Sequence, residues 1–213
     1  MKSKSIFIVL LIFIFLNWDK IFAEDATLNI GIIMAQNSFN TDKKLPLIKN
    51  KTFSTRPAKM GEEGLLYELI RELALYEGKD IEKLPLTKEN LLRFGFNKNP
   101  YFFTEFAECE DQLVGYVLYY YTFSANQGRP ILYIEDLYVK LEYRGLGIAS
   151  LFLKQLAKYA IQNDCCRLEW HVFSWNSSAI SFYQKLGGVL KNELIQVRLE
   201  NEALHKLAID KIE

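Results

Sequence analysis

The stretch Tyr143-Arg144-Gly145-Leu146-Gly147-Ile148-Ala149 constrains this chain more than any other, because it joins a strand-like run to a long helix-like run. Glycine lets the backbone turn in ways closed to other residues and approach a ligand closely. The helix that follows presents unpaired N–H groups and the positive end of its dipole, a site suited to an anion. Arg144 adds a charge-assisted contact. Together these features suit a pyrophosphate, while a purely structural turn is the alternative the pattern leaves open. It is not a Walker loop, since the lysine of G-x-x-x-x-G-K-S/T is absent. Nor does it open a dinucleotide fold, because the elements before it do not fit a doubly wound sheet.

Those elements alternate between β and α. Thr52 to Arg56 reads as a short strand ended by Pro57. Leu65, Leu66, Leu69, Ile70, Leu73 and Ala74 recur at helical spacing and predict a helix over about 60–77. Thr87 is a plausible N-cap for a short helix ending at Gly95. Two β-rich runs, about 101–108 and 113–123, flank a turn at Glu110-Asp111, and Ile131 to Val139 is the next strand. A long amphipathic helix spans about 145–163, its apolar face including Ile148, Phe152, Leu156 and Ala160. A strand at 167–173, a helix at 177–186, a strand at 189–199 and a short final helix complete the order. That order predicts an α/β fold with a mixed sheet.

Composition narrows the class. The 26 Lys+Arg balance 26 Asp+Glu, which argues against a dedicated nucleic-acid binder. Three cysteines, with Cys165 and Cys166 adjacent, form neither a disulfide framework nor a metal spacing. Two histidines, His171 and His205, exclude a His-rich metal cluster, and no metal is expected. The neutral total is a cancellation: residues 1–51 hold 7 basic and 4 acidic side chains, leaving 19 and 22 for 52–213.

Residues 1–51 differ from the rest. Lys2 and Lys4 precede an apolar run from Ile6 to Leu16. Eleven helical residues span about 16 Å, short of the roughly 30 Å hydrocarbon core, so no stable membrane span is expected. A signal peptide with a cut after Ala23 fits the basic start and short apolar run, although Asp19 and Lys20 sit where charge is unusual. The other reading is an upstream extension, with Met34 or Met60 as the real start. Residues 36–51 read as a polar linker.

The motif R-x-x-G-x-G/A after a strand resembles the acetyl-CoA pyrophosphate motif of the GNAT acetyltransferases. The runs LYIEDLYV (132–139), EYRGLGIAS (142–150), WNSSAISFYQKLGG (175–188), FSTRPA (53–58) and ELALYE (72–77) resemble its diamine (spermidine/spermine) N-acetyltransferase branch. The resemblance covers 53–208 and none of 1–51. It implies a GNAT-type, mostly antiparallel sheet with splayed central strands flanked by helices, acetyl-CoA as cosubstrate, a small-molecule amine acceptor and a homodimer. A catalytic domain would then occupy 52–213 behind the N-terminal extension.

Acetylating an amine requires removing its proton, polarising the thioester carbonyl and neutralising the departing thiolate. A primary amine has a pKa near 10 and arrives as an ammonium, so carboxylates both bind it and help deprotonate it. By resemblance, Glu135 is the general base and ammonium contact, with Asp136 supporting; a solvated acidic pair is what these residues alone leave open. A regular strand would show only one of two neighbours to the site, but the family implies a β-bulge here. The resemblance also assigns the thioester oxygen to backbone N–H groups of Leu137, Tyr138 or Val139, the pyrophosphate to Arg144, Gly145, Leu146, Gly147, Ile148, Ala149 and Ser150, and the pantetheine arm to Asn176. Helix capping is the plainer role for Asn176.

Tyr183 matches the family's general acid to the leaving thiolate, and a phenol is chemically fit for that. Tyr76 and Glu77 match acceptor-pocket positions. Glu169 and His171 share a strand face by alternation and border the same pocket, although a packed histidine is the simpler reading of His171. One departure stands out: Leu194 occupies the place of a pocket tryptophan, which opens the choice of amine. A protein lysine or antibiotic amine is a second acceptor class, and a low-turnover acyl-CoA-binding module a third reading. Free acetyl-CoA is a cytoplasmic metabolite, so a cytoplasmic location is expected; export or membrane association follows only if residues 1–23 act as a signal.

Overall fold

The structure is a computed structural model that describes residues 51–209. The signal-peptide, linker and start-site expectations for the head, apart from Lys51 and Met60, fall outside the described residues. The chain divides into two compact units, one reaching Trp170 and one beginning at His171.

The first unit is built on a sheet in the order β1-β2-β3-β4-β5: β1 (Phe53–Pro57), β2 (Phe103–Cys109), β3 (Gln112–Ser124), β4 (Arg129–Val139) and β5 (Leu168–Trp170). The first three pairings are antiparallel and β4 with β5 is parallel. Cys109 faces Gln112 across a two-residue turn, and Glu110 takes φ 58° to close it. The expected turn at Glu110-Asp111 is therefore the hairpin itself. Helices α1 (Glu63–Tyr76) and α2 (Lys88–Gly95) precede β2, and α3 (Ile148–Gln162) joins β4 to β5.

Strand alternation distributes these helices between the two faces. Phe106, Tyr116, Leu118 and Tyr138 form a buried cluster with Leu66 and Leu69 of α1, Leu91 of α2, and Phe96. Each such side chain contributes about 1.5–3 kcal/mol through burial. Residues of opposite parity meet α3: its Tyr159 donates a hydrogen bond to Glu105 and packs its ring 6.2 Å from that of Tyr119. The buried stripe Ile148, Phe152, Leu156 and Ala160 is the apolar face expected for α3.

Two features of β4 position the site. Leu118 pairs with Asp136 but Tyr119 pairs with Ile134, so Glu135 is an extra residue in the ladder, a β-bulge. Beside β4, β5 matches only Leu132, Tyr133 and Ile134, and β4 runs on to Val139 past its end. This is the expected mostly antiparallel sheet; the parting falls between β4 and β5, the edge strand among the described residues, rather than between two central strands.

The second unit holds α4 (Ser177–Lys185) and α5 (Asn201–Ile209). The strand expected over 189–199 does not form: that segment carries no strand among the described residues. Its apolar run suits a strand, but a strand also needs a neighbour for its N–H and C=O groups, and apolar pattern alone supplies none. Val189, Leu194, Ile195 and Val197 are exposed instead. The strand expected over 167–173 shortens to Leu168–Trp170 for the same reason.

Candidate active site

The glycine turn has the shape of an anion cradle. A short 3₁₀ turn, Leu141–Tyr143, leads from β4 to Arg144. Gly145 and Gly147 take φ 75° and 87°, the left-handed region that favours glycine, and no atom lies within 4 Å of where a Cβ would stand on either. Gly147 is the N-cap of α3, which has no side-chain cap and no acidic residue in its first turn. By contrast, Thr87 caps α2 and Asn176 caps α4 through their side-chain oxygens. An uncapped helix start behind an open glycine turn fits a pyrophosphate, which would accept from the orphan N–H groups of Ile148, Ala149 and Ser150.

Arg144 is held in place from three sides. Its Nε donates to the Val139 carbonyl at 2.9 Å, and its guanidinium lies 4.1 Å from the Tyr76 ring centroid and 5.9 Å from that of Tyr138. Tyr138 in turn donates to Glu72 at 3.1 Å. Tyr76, expected in the acceptor pocket, thus also faces the arginine of the glycine turn through a cation–π contact.

The bulge brings Glu135 and Asp136 to one side of the sheet. Tyr116 donates to Asp136 Oδ2 at 2.9 Å and Tyr120 donates to Glu135 Oε2 at 3.1 Å. Tyr116 and Tyr120 are four residues apart on β3 and so share a face. Burial raises the Asp136 pKa from 3.8 to about 6; Tyr116 opposes that rise, Glu135 and Glu77 add to it, and Lys79 opposes it. Glu77 pairs with Lys79 at 2.6 Å. The sequence alone does not distinguish these two tyrosines: only the β3–β4 register singles them out within the tyrosine-rich run 116–121.

This shift has a consequence for stability. The folded state retains the Asp136 proton over roughly pH 4 to 6, where the unfolded chain has released it, so stability falls as pH rises through that window. Asp136→Asn is accordingly expected to melt at a higher temperature than wild type near pH 8 and to lose that advantage near pH 4, as thermal denaturation will measure.

The remaining expected residues lie further along the chain. Glu169, on β5, accepts from Arg167 Nε at 2.6 Å. β5 ends at Trp170, so the alternation expected to align Glu169 with His171 stops one residue short. In the second unit, Asn176 Oδ1 accepts from the Ala179 N–H at 3.2 Å, the capping role. Tyr183 is half-buried on α4, and burial pushes its phenol pKa up, so it is protonated at neutral pH. No group of three or more His, Cys, Asp or Glu side chains placed to hold a metal occurs among the described residues. No helix there is long and apolar enough to cross a membrane.

Comparison with known proteins gives this geometry a family. Residues 66–188 match the acetyltransferase (GNAT) family. The chain is 40% identical over 164 residues to a thialysine N-epsilon-acetyltransferase of Sus scrofa, covering 72% of this chain and 95% of that one. It is 37% identical over 144 residues to the spermidine/spermine N(1)-acetyltransferase-like protein 1 of Homo sapiens, covering 64% of this chain and 20% of that one. Among solved structures, an integron cassette protein from the mobile metagenome of V. cholerae superposes with a TM-score of 0.61 at 26% identity, over 74% of this chain and 98% of that one. GNAT acetyltransferases use acetyl-CoA as cosubstrate. The chain belongs to the acetyltransferase (GNAT) family and is an acetyl-transferring enzyme of its diamine branch.

Proposed function

We propose that residues 52–213 form a catalytic domain that transfers the acetyl group of acetyl-CoA to a primary amine of a small cationic acceptor, a diamine, polyamine or thialysine-like amino acid. Transfer is by direct attack within a ternary complex. The observation that carries this reading is the bulge at Glu135, which gathers two carboxylates on one side of β4, the strand that leads into the open glycine turn. The names of the relatives from Sus scrofa and Homo sapiens support the acceptor class.

Bound acetyl-CoA supplies the acetyl group as a thioester. Arg144 and the turn Gly145, Leu146, Gly147, Ile148, Ala149 and Ser150 hold its pyrophosphate, and Asn176 holds its pantetheine arm. An N–H group of β4 at Leu137, Tyr138 or Val139, where β5 no longer runs alongside, donates to the thioester oxygen as negative charge develops. Glu135 contacts the ammonium and takes its proton, with Asp136 in support. Tyr183 donates its proton to the departing thiolate. Tyr76 and Glu77, with Glu169 and His171, border the acceptor.

Tyr76→Leu removes the ring beneath Arg144, and a cation–π contact of about 0.5–2 kcal/mol is lost. The expected result in steady-state assays is a KM for acetyl-CoA raised several-fold, with kcat held within about twofold. Charge supports the acceptor class weakly, since 52–213 carries 19 basic against 22 acidic side chains. The family resemblance supports a homodimer, and the source of acetyl-CoA supports action in the cytoplasm.

Product analysis tests this function. Incubated with acetyl-CoA and spermidine, putrescine or thialysine, the protein should release CoA and monoacetylated amine in equal amounts, with intersecting initial-velocity lines. Acetyl groups found only on protein lysines or aminoglycosides would instead identify the other acceptor class.

A further inference from the structure

The bulge solves one problem and creates another. It turns Glu135 and Asp136 to the same side, but adjacent like charges repel and neither is oriented by the backbone alone. Each carboxylate has one tyrosine of β3 donating to it, Tyr120 to Glu135 and Tyr116 to Asp136. The two donors differ in setting. Tyr116 is fully buried in the cluster of Phe106, Leu118 and Tyr138, so its hydroxyl is a fixed point. Tyr120 is half-buried beside Tyr133, with ring centroids 5.1 Å apart, and its partner Glu135 is exposed. Burial and the neighbouring carboxylates raise both phenol pKa values, so both remain donors throughout the neutral range.

We propose that Tyr116 and Tyr120 are positioning residues that give the adjacent carboxylates separate tasks, Tyr120 orienting Glu135 toward the acceptor ammonium and Tyr116 fixing Asp136 so that the pair becomes competent to take a proton near neutral pH. This rests on the amine-acetylating reading of the same site. In the step served, the ammonium N–H bond breaks with its electron pair remaining on nitrogen, and an O–H bond forms on a carboxylate. The groups facing Asp136 are Tyr116 from β3, Glu135 from β4 itself, and Glu77 and Lys79 from the end of α1 and the residues after it. Of these, Tyr116 donates a hydrogen bond to it, and donation to the charged form favours ionisation.

The test uses Tyr116→Phe and Tyr120→Phe in the full chain, with spermidine as acceptor and carboxyl carbon-13 NMR of labelled aspartate. In Tyr116→Phe, the Asp136 titration and the acid limb of kcat/KM should both move up by about half a pH unit or more. The spermidine KM on the plateau should stay unchanged. In Tyr120→Phe, the spermidine KM should rise about three- to tenfold while the acid limb stays in place. Asp136→Asn should abolish the titration, and adding Tyr116→Phe to it should no longer move the limb. An Asp136 titration unmoved in Tyr116→Phe, or an acid limb that Tyr116→Phe still moves in the Asp136→Asn background, would overturn the proposal. The NMR titration needs no turnover. If the protein acetylates no amine, the functional reading fails, and the hold of Tyr116 on Asp136 is still decided.

Discussion

Glu135→Gln is expected to lower kcat/KM for a diamine acceptor by about 10²–10⁴-fold, the range for losing a general base, with the KM for acetyl-CoA within about twofold of wild type. Glutamine keeps the shape and still accepts from the Tyr120 hydroxyl, which lies 3.1 Å from Glu135 Oε2. It removes the charge that binds the ammonium and the site that takes the proton. Steady-state rates with each substrate varied in turn check this. Asp136 stands beside Glu135 in the ladder with a pKa near 6 and its own donor. A loss below about tenfold would therefore mean that Asp136 carries the proton transfer and Glu135 only binds.

Tyr183→Phe should slow the reaction by about 10²–10³-fold in kcat, as expected for a missing general acid, with both KM values near wild type. A thiolate with a conjugate-acid pKa near 8.5 leaves with a proton supplied, and a phenol supplies it only while protonated. Burial raises the Tyr183 pKa, so the acid form persists through the neutral range. The defect should consequently be flat with pH between about 6 and 9. Pre-steady-state thiol release will separate this from slow product dissociation: the variant should lose the chemical step itself. A Tyr183→Phe rate equal to wild type would remove the acid assignment and leave the donor site untouched.

Some of this site was open to sequence reasoning and some was not, for physical reasons. Gly145 and Gly147 were legible because only glycine takes φ 75° and 87° without strain, and such positions announce themselves in a chain. The stripe of α3 was legible because burial on one face imposes the helical period. Glu135 and Asp136 were legible as an acidic pair, but their common orientation depends on the register shift between Leu118 and Tyr119 against β4. A bulge is a property of two strands together, so a single strand does not spell it out. Tyr116 and Tyr120 were hidden for the same reason. Nothing in the run 116–121 distinguishes a tyrosine that grips a carboxylate from one that packs, until its neighbour across the ladder is known. The segment 189–199 shows the converse error: its apolar residues suit a strand, yet composition says nothing about which edge would receive it. Asn176 behaved as its residue type and position suggested, as the cap of α4.

The central claim is that this fold delivers an acetyl group to a small cationic amine, and thiol release across an acceptor panel tests it most directly. The full chain is incubated with acetyl-CoA and, in turn, thialysine, spermidine, putrescine, an aminoglycoside and a lysine peptide, and free CoA is followed. Release should depend on acceptor concentration for at least one of the first three and should exceed that with the last two. Release that is the same with every acceptor, or with none, would contradict it.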